Sequence, residues 1–111
     1  MTTVTICKNK ENGSYTEFHC MGHAQYAKKG EPDILCSAVS ALVIGTINGL
    51  DELAGEKLDV TQNEENGFIR CVFLSKLQEK SIFLLECMIL NLQEMSKEYG
   101  KKYLQVKFEE V

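Results

Sequence analysis

With 111 residues, 44% of them apolar and 25% charged, the chain has the size and mixture of one globular domain spanning residues 1–111. A chain of this length can bury a core without metal or disulfide staples. A formal charge of −4 argues against direct nucleic-acid binding, which relies on Lys and Arg set against phosphate. The opening MTTVTICKNK has no basic region followed by an apolar run, so it does not read as a signal peptide. Five cysteines, an odd number with no secretory signal, point to reduced thiols and a cytoplasmic protein.

In chain order, residues 3–9 mix β-branched and polar side chains, with Val4 and Ile6 on one face. Residues 15–21 (YTEFHCM) form a second strand, and Asn12-Gly13 between them predicts a tight antiparallel hairpin turn. Residues 22–33 hold two glycines and the only proline, and read as a loop. Asp33 stands before LCSAVSALVIGTINGL as an N-cap. The apolar stretch Ile34–Leu50 is interrupted by Ser37, Ser40, Thr46 and Asn48. It reads as a buried helix covered on more than one side, not as a membrane span. Ala41, Gly45 and Gly49 make a smooth stripe on it, suited to close packing within the domain or a dimer. Residues 56–62 and 67–74 predict a second hairpin, turning at Asn63–Gly67. Ser75-Lys76-Leu77-Gln78 has capping-box spacing ahead of a long helix. That helix has Ile82, Leu85, Ile89 and Leu92 on its inner stripe, and Gly100 stops it. A last strand covers residues 102–108. The order ββαββαβ predicts an α+β layered domain, two helices on a mixed or antiparallel sheet.

One region carries chemistry. His23 lies just past a strand, and Cys36 falls in the first turn of a helix. There the positive end of the helix dipole favours the thiolate, the reactive species. Imidazole accepts a proton near neutral pH and returns it to a leaving amine, so Cys36 and His23 form a sensible nucleophile and base. Spacing alone does not bring them together. A buried inert cysteine and a solvated histidine are the plain alternatives. Asp33 is a cap and also a group able to orient His23. Ser40 lies one turn beyond Cys36, either beside the catalytic groups or bonded to a carbonyl one turn back. Backbone amides near Ser37 are candidates for an oxyanion hole. His19, Cys20, His23 and Cys36 are a competing metal set with poor spacing, since His19 and Cys20 are adjacent on a strand and face opposite ways. Cys7, Cys71 and Cys87 read as core. Tyr26 either covers the site or packs ordinarily, and Lys28-Lys29 reads as a solvated loop tip.

The stretch from Gly22 to Leu50 closely resembles the signature of the ribosomal-processing cysteine protease family Prp. That pattern is Gly-His-Ala, a short loop with a glycine, then Asp-Ile-x-Cys and a serine one turn on. It falls on Gly22, His23, Ala24, Gly30, Asp33, Ile34, Cys36 and Ser40. The resemblance implies a homodimeric protease with His23 and Cys36 as catalytic dyad, supported by Asp33 and Ser40. Its substrate loop would carry Gly22, Ala24, Tyr26 and Gly30, with no cofactor or metal. It also implies a substrate, the short N-terminal extension of large-subunit ribosomal protein L twenty-seven, cut after a paired-aromatic sequence. The expected partners are therefore that extension and a second copy of the chain, without nucleic acid or membrane. A non-catalytic ribosome-assembly module holding a peptide in the same cleft is the alternative. The segment 22–33 is expected to act as a lid over the dyad.

Overall fold

Side-chain alternation along the strands decides which face of the sheet becomes core. Val4 and Ile6 of β1 (Thr2–Lys8) stand opposite Cys20 and Phe18 of β2 (Tyr15–Met21). Phe18 and Cys20 in turn face Cys71 and Ile69 of β4 (Phe68–Phe73). Directly paired residues share a face, so these side chains form one apolar surface across three strands. In the computed structural model, which describes residues 1–24 and 33–111, two further strands flank these three: β3 (Leu58–Asn63) beside β4, and β5 (Leu104–Glu110) beside β1. The sheet order is β3-β4-β2-β1-β5, with β5 parallel to β1 and every other pair antiparallel. The sheet is mixed because the parallel return from β4 to β5 is made through a helix.

The two helices α1 (Ile34–Asn48) and α2 (Glu79–Tyr99) pack on the apolar face. Leu35, Val39, Val43 and Ile47 of α1 and Leu85, Met88, Ile89 and Leu92 of α2 meet Val4, Ile6, Phe18 and Cys71 in one core. The opposite sheet face is polar and includes an ion pair between Arg70 and Glu17, with Nε to Oε2 at 2.6 Å. Cys7 is buried as expected, but it projects to this polar face between Thr5 and Glu17 rather than into the main core.

Four local expectations need correction. The first hairpin does not turn tightly on Asn12-Gly13. Asn9 Oδ1 accepts from the amides of Glu11 and Asn12, and Asn12 Oδ1 accepts from Ser14, so side-chain acceptors build a wider loop. The capping box at Ser75 does not form. Leu77 is drawn into the core, α2 begins only at Glu79, and the Glu56 carboxylate reaches the Gln78 amide at 3.0 Å. Cys87 is half-buried on α2 instead of core. Finally, α1 is covered on one side only: Ile34, Ala38, Ala41, Ile44 and Gly45 are exposed. Along the small-residue stripe, Gly49 alone is pressed against a neighbour, since a Cβ there would sit 2.9 Å from Leu84 Cδ2. Helical structure continues past α1 as a π-helical turn, Gly49–Leu53.

Candidate active site

The site forms where the end of β2, the start of α1 and the tip of the β3–β4 hairpin converge. Gly22 follows β2 with φ +92, and a Cβ there would collide with the Met1 carbonyl oxygen. This residue therefore turns the chain at a point where no side chain fits. Its amide donates to the Asn66 carbonyl at 3.1 Å, and its own carbonyl accepts from Thr2 Oγ1 at 3.3 Å. The next residue, His23, leaves the sheet in a fixed direction.

Cys36 is reached from the other side. Asp33 is extended and caps α1, its Oδ1 accepting from the Cys36 amide at 3.0 Å. That bond fixes the first helical turn and sets the Cys36 side chain toward the cleft. Cys36 Sγ lies 3.9 Å from His23 Nδ1. Such contacts are often long in unliganded enzymes and tighten when substrate binds. On its far side His23 Nε2 lies 3.1 Å from the main-chain carbonyl of Glu65, in the hairpin tip.

A cavity of about 290 Å³ opens beside the pair. Val39, Val43 and Ile44 of α1 and Phe68 and Ile69 of β4 give it an apolar floor, and Gln62 and Glu64 edge it. A concave apolar cleft with a few polar groups at one end suits an extended peptide carrying apolar side chains.

The predicted residues divide as follows. His23 and Cys36 come together. Ser40 is exposed on the cleft wall, and the bond to a carbonyl one turn back is seen at Thr46, which donates to Leu42 O at 2.8 Å. Gly22 lines the cleft, and Ala24 is buried in the core. Tyr26 and Gly30, with Lys28, Lys29, Pro32 and most of the expected lid, lie outside the described residues. The amides near Ser37 are not available as an oxyanion hole in this arrangement. Ser37 N donates to Asp33 O at 3.0 Å, and Cys36 N is taken by the Asp33 carboxylate. Of the metal set, His19 lies on the polar face opposite Arg70 while Cys20 faces the cleft, and among the described residues no three His, Cys, Asp or Glu side chains converge. Glu65 and Gly67 are the residues that sequence reasoning missed. It read them only as parts of a turn.

Cys7, Cys20 and Cys71 are held protonated. Burial pushes Cys71 up to about 12. Burial, with Cys36 nearby, pushes Cys20 up to about 11. Burial and the Glu17 carboxylate raise Cys7 as well. These three stay unreactive near neutral pH.

A thiol at a helix N-terminus, an imidazole beside it and an apolar cleft together describe a cysteine peptidase. The family model for Cysteine protease Prp matches residues 1–105, and the chain belongs to that family and is a cysteine peptidase. The ribosomal processing cysteine protease Prp of Bacillus subtilis (strain 168) is 30% identical over 103 residues, covering 89% of this chain and 90% of that protein. Its counterpart in Staphylococcus aureus (strain NCTC 8325 / PS 47) is 29% identical over 101 residues, covering 91% and 93%. Two crystal structures of the essential ribosomal processing protease Prp from S. aureus also match. One holds a covalently linked product peptide (TM-score 0.86, 27% identity) and one a substrate peptide (0.83, 26%). Each match covers 97% of this chain and 99% of the other.

Proposed function

We propose that this chain is a processing endopeptidase for a ribosomal protein, with Cys36 as nucleophile and His23 as general base. The observation that carries the reading is the 3.9 Å approach of Cys36 Sγ to His23 Nδ1 at the mouth of the apolar cleft. Peptides bound to the S. aureus relative support a peptide as the substrate. His23 takes the thiol proton as Sγ attacks the scissile carbonyl carbon. The tetrahedral intermediate collapses by breaking the C–N bond, and His23 returns the proton to the departing amine. Water, deprotonated by the same imidazole, then attacks the thioester and frees Cys36 and the acid product. The substrate in this reading is the N-terminal extension of ribosomal protein L twenty-seven, cut after paired aromatic residues that suit the apolar floor. All five cysteines are free thiols, which supports work in the cytosol.

The exposed Ile34, Ala38, Ala41 and Gly45 on α1 support a two-fold dimer along this helix. Light scattering at micromolar concentration is expected to give twice the 12.5 kDa of one chain, and a 12.5 kDa species alone would rule the dimer out. For the activity, the extension peptide should be cleaved by the wild type and bound but left intact by Cys36→Ala. Cleavage by Cys36→Ala at the wild-type rate would sink the reading. Peptide binding without turnover by the wild type would favour the non-catalytic module.

A further inference from the structure

We infer that the main-chain carbonyl of Glu65 is the group that orients the catalytic imidazole, and that Gly67 is the positioning residue that lets the hairpin tip reach it. The assignment rests on the dyad proposed above and adds its third member. A carbonyl oxygen only accepts, so at 3.1 Å from Glu65 O the Nε2 atom of His23 must carry the hydrogen. The neutral ring then has its lone pair on Nδ1, the nitrogen that faces Cys36 Sγ. The tautomer needed to receive the thiol proton is therefore selected by a bond on the far side of the ring, the part an aspartate plays in a triad. When Nδ1 takes the proton, both nitrogens donate, and the carbonyl supports the imidazolium. The Asp33 carboxylate meanwhile serves the Cys36 amide.

The hairpin tip is built for this approach. Asn63 Oδ1 accepts from the Asn66 amide at 3.4 Å, and Gly67 N donates to Glu64 O at 3.2 Å, closing the turn. The Asn66 carbonyl then takes the Gly22 amide, which ties the tip to the residue before His23. Gly67 sits at φ +60, and a Cβ on it would lie 2.5 Å from Gly22 O and 3.1 Å from His23 Cε1. Any side chain at 67 pushes the tip away from the imidazole, and Glu65 O moves with it.

Two other glycines supply the control. Gly13 and Gly55 also have positive φ, +73 and +68, yet a Cβ on either meets nothing within 4 Å. Alanine at these positions carries the same kind of backbone penalty without touching the site. The test is steady-state cleavage by Gly67→Ala, Gly13→Ala and Gly55→Ala, with nitrogen-15 NMR of the His23 ring in a Cys36→Ala background. We expect Gly67→Ala to lose about 10- to 100-fold in kcat with KM within about twofold, the scale of a small misplacement of a reacting group. The two control variants should stay near wild type. In Cys36→Ala the neutral ring should be the Nε2–H tautomer, and adding Gly67→Ala should mix the two tautomers. An Nδ1–H ring in Cys36→Ala overturns the inference even if Gly67→Ala fails to fold, and so does a Gly67→Ala enzyme as active as Gly13→Ala. His23→Ala separates the two claims. If it retains turnover, the dyad itself is wrong. If it is inactive while Gly67→Ala is not, only the orienting role is lost.

Discussion

Two helix N-termini, those of α1 and α2, have nearly the same local chemistry and opposite outcomes. At α1 a carboxylate oxygen of Asp33 accepts from the Cys36 amide at 3.0 Å, and at α2 one of Glu56 accepts from the Gln78 amide at 3.0 Å. Both helices thus begin with a carboxylate at the positive end of the dipole. The first turn of α2 then buries Ser81 completely, Leu77 just before it is nearly buried too, and the end is sealed. The first turn of α1 leaves Cys36 half-buried at a cavity, facing an imidazole that a hairpin tip holds from behind. A capped helix terminus is therefore only a platform. In the proposed mechanism, one of them is reactive because of the residue it displays, the space in front of it and a base brought in from another element.

That contrast can be broken most severely at the two hydroxyl- and thiol-bearing positions. Turnover should vanish in Cys36→Ala and fall by several orders of magnitude in His23→Ala, because nucleophile and base act as a unit. Ser81→Ala at the sealed terminus should keep kcat within about twofold. A large loss in Ser81→Ala with the fold intact would mean that α2 takes part in the chemistry. Next in size is thiol selectivity. Brief iodoacetamide treatment followed by peptide mapping should label Cys36 first and half-buried Cys87 later, leaving Cys7, Cys20 and Cys71 for the unfolded chain. Labelling of Cys87 ahead of Cys36 would erase the distinction drawn here.

The smallest effect concerns the sealed terminus itself. Burial works to raise the Glu56 carboxyl, but the Gln78 amide bonded to it at 3.0 Å, with Lys80 nearby, outweighs burial, and its pKa is lowered. Its cap is packed in yet close to the molecular surface, so solvent screening holds its worth to about 1 kcal/mol. A carboxyl lowered by folding stabilises the native state fully above its unfolded pKa, about 4.3, and loses that contribution as pH falls through the lower native value. Urea unfolding of Glu56→Gln should therefore show about 1 kcal/mol less stability than wild type near pH 7, with the gap closing in acid. A gap that is constant with pH would mean that the carboxylate charge does not hold α2.

Most of the fold was readable because its signals are local. Val4 and Ile6 alternate with polar neighbours, Asp33 precedes an apolar run, and Gly100 follows the last turn of α2, where it adopts φ +107. The signals that failed were those that depend on distant partners. The cap of α2 comes from Glu56, 22 residues before Gln78, so the nearer Ser75 looked like the better start. At the site, His23 and Cys36 stood out by residue type and setting. Glu65 did not, because a main-chain carbonyl is present whatever the side chain, and this one lies 42 residues from the ring it meets. Gly67 was visible only as a turn glycine. The close approach to Gly22 and His23 that fixes its identity exists only once the sheet has formed.

In the proposed mechanism Cys36 Sγ is the atom that carries the peptide through the reaction. Acid quenching of the enzyme during turnover of the extension peptide, followed by peptide mapping in a mass spectrometer, looks for that bond directly. The account predicts a thioester of the N-terminal product on Cys36, absent in Cys36→Ala and formed far more slowly in His23→Ala. An acyl group on Cys87, or steady cleavage with no adduct and full activity in Cys36→Ala, would contradict it.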